Sequence, residues 1–138
     1  MTSYSVHRYR ENQLLTASPG QILVALHDGA IRFAEQAKLA ILAGDATAKG
    51  QAVGRALAII SELNSTLDHE RAPDLCARLQ RLYNYMAERL SVASLQMQTE
   101  PIEEVVGHLQ GLRESWLQVL GQQQPGLLAA QGGEARRP

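Results

Sequence analysis

Ser18-Pro19-Gly20-Gln21-Ile22-Leu23-Val24-Ala25-Leu26-His27-Asp28-Gly29-Ala30-Ile31-Arg32-Phe33 is the stretch that decides the fold. Ser18 offers a side-chain oxygen to the free N–H groups of a helix start. Pro19 sits at the first helical position, where no N–H is needed, and Gln21 is placed to complete a capping box. Apolar residues then recur at helical spacing: Ile22, Leu26, Ala30, Phe33, Ala37 and Ile41. Gly44 is a natural C-terminal stop. Asp45 can cap a second helix at once, and so short a link makes two helices antiparallel neighbours.

The same punctuation continues along the chain. The second helix carries Val53, Leu57, Ile60, Leu63 and Leu67 on one stripe, with Gly50 and Gly54 weakening its first half or permitting a close helix approach. His69 to Ala72 reads as a loop and Pro73 opens a third helix, striped by Leu75, Leu79, Leu82, Met86, Leu90 and Ala93. Pro101 opens a fourth, with Glu103 and Glu104 at the positive end of its dipole. Its stripe is Ile102, Val105 or Val106, Leu109, Leu112, Trp116 and Leu120. The pattern predicts an all-α protein, an antiparallel up-down-up-down four-helix bundle over residues 18–122. Residues 1–17 lack a period and read as an N-terminal arm. Residues 123–138, with Gly and Arg and little to bury, read as a disordered tail.

Composition agrees. The chain has 138 residues, 45% hydrophobic but only 4% aromatic, so its apolar content is mainly Ala and Leu, both good helix formers. One domain of this size buries a core without a disulfide or metal staple. The net charge of −1 gives no electrostatic reason to bind nucleic acid. No apolar run is long enough for membrane insertion, and no signal peptide opens the sequence. With Cys76 as the single cysteine, an intrachain disulfide is impossible. A soluble cytoplasmic protein is the expectation.

Catalytic and metal constellations are missing from the sequence. Glu104 and His108 are four apart, and no pair of Glu-x-x-His motifs exists for a di-iron bundle. His7, His27, His69 and His108 share no ligand spacing, and a single Cys makes neither a zinc site nor a c-type haem site. Cys76, near a helix start, has no His partner and reads as a small core residue. No enzyme activity, metal or cofactor is expected.

Three segments in order resemble one known family. The opening stretch from Thr16 to Phe33 is similar to the "T-A-S-P…L-Y-D-G-A-x-x-F" pattern of the flagellar export chaperone family FliS. Leu82-Tyr83-Asn84-Tyr85-Met86-Ala87-Glu88-Arg89-Leu90 resembles its "L-Y-D-Y-M-x-R-R-L" segment. Glu104-Val105 and Leu112-Arg113-Glu114-Ser115-Trp116 resemble its later "E-V" and "L-R-x-x-W". Separated matches in the right order are more specific than any one alone. The sequence departs from the pattern at His27, where the family usually has Tyr, at Asn84, where Asp is common, and at Ala87-Glu88, where a basic residue often precedes Arg89.

The resemblance implies a cytoplasmic chaperone that binds the C-terminal segment of flagellin, prevents premature polymerisation and supports delivery to the flagellar type III export gate. It also implies that Val6 and Tyr9, three apart on the arm, contact the client, and that the arm can cover the client groove. An uncovered groove can pair two copies of the chain as a homodimer. Helix-in-groove docking would serve such a job without catalysis. Tyr83, Tyr85, Met86 and Arg89 are further binding candidates, although core packing is the simpler account of Tyr83 and Met86, and Tyr85 is the better surface residue. Ser18, Pro19, Asp28, Gly29, Phe33 and Trp116 read as structural, Gly29 allowing a close helix approach and Phe33 and Trp116 anchoring the core. The residues alone also admit a generic helical adaptor or regulator with a different amphipathic partner; only the resemblance gives flagellin.

Overall fold

The computed structural model describes residues 18–123. The expected arm, with Val6 and Tyr9, lies outside them, as does the expected disordered tail except for its first residue, Gln123, which belongs to the fourth helix. Four helices make up the described chain: α1 (Pro19–Leu42), α2 (Ala46–Ser65), α3 (Pro73–Gln96) and α4 (Glu100–Gln123). They form a ring in which α1 and α3 each pack against α2 and α4. This is the antiparallel up-down-up-down bundle the pattern predicts.

Each helix start has a chemical cause. The Ser18 Oγ accepts from the Gln21 N–H at 3.1 Å, and the Gln21 Oε1 accepts from the Ser18 N–H at 3.0 Å, so the capping box is complete. At the other end of α1, Gly44 takes φ +70°. Its N–H donates to the Ile41 carbonyl and that of Asp45 to the Ala40 carbonyl, a Schellman closure. Asp45 then caps α2 by accepting from the Ala48 N–H at 3.0 Å. One residue thus ends one helix and begins the next.

Helix α3 starts at Pro73 as expected, and α4 starts at Glu100, one residue before Pro101. Helix α2 stops at Ser65, so Leu67 belongs to the connection, although it still packs on the core. The core itself is graded. Ala30, Ala34 and Ala37 of α1 and Ala52 and Ala56 of α2 are buried with Ile60 and Leu63, and these small residues let α1 and α2 make the most extensive pairing. The α3–α4 half uses larger side chains: Tyr83, Met86, Leu90, Ile102, Val105 and Leu109. Fully burying a side chain of this size stabilises the fold by about 1.5–3 kcal/mol.

One stripe assignment and one glycine reading are corrected. Leu75 is 46% exposed, and Cys76 takes the inward position at the start of α3. The inward line runs on through Tyr83 to Met86, Leu90 and Ala93, so the face is rotated from the expected stripe only in its first half, at Leu75, Leu79 and Leu82. Gly50 and Gly54 have open space where a Cβ would stand, so neither serves a close approach. Gly29 does: a Cβ there would meet the Ile59 Cδ1 at 3.0 Å.

Candidate functional site

The second half of α3 separates the sequence candidates by face. Tyr83 and Met86 point inward and are fully buried, so neither presents surface to a partner. Tyr85 and Arg89 point outward, one turn apart, toward α4. There they meet Glu104, whose carboxylate joins the two helices. The Tyr85 hydroxyl donates to its Oε2 at 2.5 Å and the Arg89 Nε donates to its Oε1 at 3.0 Å. His108, one turn along α4, brings its Nε2 within 3.8 Å of Oε2 and sets its ring edge-on to Tyr85.

Electrostatics follow from these contacts. The Tyr85 hydrogen bond, with Arg89 adding to it, holds the Glu104 carboxyl below its ordinary range. The same bond to a carboxylate pushes the Tyr85 hydroxyl up. In the sequence Glu104 stands out as a helix-dipole residue and as part of the "E-V" resemblance, not as a partner of α3. Its role as a hub depends on pairing with α3, 15 and 19 residues earlier, which no local pattern reports.

A second set lies between α1 and α4. Asp28 forms an ion pair with Arg113, and so ties the "D-G-A" element of the opening stretch to the "L-R-x-x-W" element of α4. The pair borders an open cleft of about 550 Å³, also lined by Ile31, Gln110, Gly111 and Glu114. Phe33 is half-buried against the core, with the Arg32 and Arg55 guanidinium groups 5.3 and 5.6 Å from its ring centre. Trp116 is also half-buried. Asn84, at one departure from the family pattern, accepts from the Asn64 amide of α2 at 2.9 Å.

His27, at another departure, is fully buried. Its Nδ1 lies 2.8 Å from the Leu23 carbonyl, and its Nε2 lies 3.3 Å from the Tyr83 hydroxyl. Burial lowers its pKa from the ordinary histidine value. Burial likewise pushes the Tyr83 hydroxyl up to about 12, partly opposed by the Trp116 indole.

Cys76 is buried, and its Sγ donates to the Asp68 carbonyl at 3.3 Å. Among the described residues, no group of three or more His, Cys, Asp or Glu side chains could hold a metal ion. No described helix is long and apolar enough to cross a membrane.

The sequence matches the family model described as "Flagellar protein FliS" over residues 1–123. The chain belongs to the FliS family. Among its relatives, the flagellar secretion chaperone FliS of Salmonella typhimurium is 38% identical over 110 residues, covering 79% of this chain and 82% of the relative. That of Bacillus subtilis is 34% identical, covering 81% and 83%. Flagellar secretion chaperone FliSB of Pseudomonas aeruginosa is 33% identical, covering 77% and 84%. FliS is a family of chaperones, not of enzymes. The FliS match takes in the first 17 residues as well as the four helices, so Val6 and Tyr9 fall inside it.

Proposed function

We propose that this protein is a flagellar export chaperone that holds the C-terminal segment of flagellin in the cytoplasm and keeps it from polymerising before it reaches the type III export gate. The observation that carries this reading is the family match across residues 1–123, supported by relatives described as flagellar secretion chaperones. The physical task fits a helical bundle. An amphipathic client segment hides its apolar face by lying along helices, and no bond need be made or broken. Ordering the client on binding costs part of the interaction energy, which keeps affinity moderate and release feasible. Val6 and Tyr9 on the arm are the proposed client contacts, with Tyr85 and Arg89 as the candidates on the bundle surface.

Capture of purified flagellin by the immobilised chain tests this. Binding should be lost when the client's C-terminal segment is deleted. It should weaken with Tyr9→Ala while helicity by circular dichroism stays unchanged. A complex that survives deletion of that segment, or no complex with flagellin at all, would overturn the reading in favour of another amphipathic partner.

A further inference from the structure

Among the described residues, His27 is the one polar or charged residue in the buried core, which otherwise holds apolar residues and the hydroxyl-bearing Tyr83. The hydrogen bonds of His27 fix its chemical form. The Leu23 carbonyl, 2.8 Å from Nδ1, can only accept, so Nδ1 carries the hydrogen. Nε2 is then a bare acceptor, and the Tyr83 hydroxyl donates to it at 3.3 Å. Helices α1 and α3 are not neighbours in the ring, so this bond crosses the centre of the bundle between two helices that otherwise meet little.

A second proton on the ring would have to go to Nε2. Two donors would then point at each other. Tyr83 would have to turn its O–H away into a core where the nearby Trp116 group is also a donor. The Tyr83 oxygen could then accept from Nε2–H, but its own O–H would lose its acceptor, and a charge would sit where water is excluded. The charged groups around the ring do not compensate. Asp28 on α1 favours the charged form and Arg113 on α4 opposes it, and the two are paired with each other. Helix α2 contributes apolar Ile59, packed beside Gly29. Helix α3 contributes Tyr83 itself.

We propose that the His27–Tyr83 hydrogen bond is an acid-released latch between α1 and α3. Neutral His27 holds α3 against the core. Protonation ends the donation from Tyr83 to His27, leaves the Tyr83 O–H without an acceptor and loosens α3, the helix that carries Tyr85 and Arg89. The direction follows from linkage. With the folded pKa below the unfolded value, the fold keeps its full stability above about 6.5, the unfolded histidine value, and loses it as pH falls from there toward the folded value. The latch does not depend on the identity of the client.

Urea unfolding of the full chain, followed by Trp116 fluorescence at pH 7.5 and pH 5.5, gives the first test. The unchanged chain should lose more of its midpoint on acidification than His27→Phe, in which only the remaining titratable groups respond. NMR titration of the unchanged chain gives the second and needs no variant to fold. The His27 ring should titrate below the ordinary histidine value, and amides of α3 around Tyr83 should shift and lose exchange protection with the same midpoint. Tyr83→Phe should uncouple the α3 amides from that midpoint. Equal acid losses in His27→Phe and the unchanged chain would overturn the latch, as would α3 amides that ignore the His27 titration.

Discussion

Met97 closes α3 at φ 53°, in the left-handed region that side chains other than Gly and Asn rarely enter. It holds that conformation because the Gln98 N–H reaches back to the Ala93 carbonyl at 3.1 Å and completes the helix end. The strain is of the order of 1 kcal/mol. Met97→Gly should therefore stabilise the fold by about 0.5–1 kcal/mol, visible as a thermal midpoint several degrees higher. Nothing in the residue type announces this conformation, which is why the sequence locates the α3–α4 break only through Pro101. At Tyr83 the sign runs the other way with pH. Its hydroxyl is raised to about 12 in the fold against 10 unfolded, so its contribution is complete below pH 10 and is lost as pH rises toward 12. Absorbance titration of phenolate should show one tyrosine ionising only near the alkaline unfolding transition. Ionisation of every tyrosine near 10 in the folded chain would contradict its burial.

The helices themselves were legible wherever a boundary depends on local chemistry. Ser18, Pro19 and Gln21 start α1, Gly44 and Asp45 join it to α2, and Pro73 starts α3, all through groups within a few residues of one another. The inward faces were less legible. The expected stripe places Leu75 inside, but it is 46% exposed, because Cys76, Tyr83, Met86, Leu90 and Ala93 share the inward face and Leu75 lies one residue off it. Helix α2 carries a different mismatch. Gly50 and Gly54 occupy helical positions with nothing beyond them, so they bring backbone flexibility and no packing return. Gly50→Ala and Gly54→Ala should each add about 1 kcal/mol. Paired thermal melts check this, and a loss of stability at either position would mean that the glycine serves a contact the described residues do not make.

Across the whole molecule, what sequence reasoning could not reach is what pairs over long separations. His27 meets Tyr83 56 residues away, and Asp28 meets Arg113 85 residues away. Each residue looks ordinary in its own helix, and only the bundle's closure brings the partners together. The departure of His27 from the usual aromatic was visible in the sequence, but its partner was not. The candidate surface divides in the same way. The outward position of Tyr85 follows from helical spacing, whereas the Glu104 carboxylate that fixes its hydroxyl comes from α4. The Asp45 junction, by contrast, is entirely local, and it bears on how the chain is made. With one residue serving two helices, α1 and α2 can close into a hairpin across a very small loop, at little entropic expense. During synthesis, the alanine-lined pair can collapse while α3 and α4 are still emerging from the ribosome. The larger side chains of the second half then arrive on a surface already assembled to receive them.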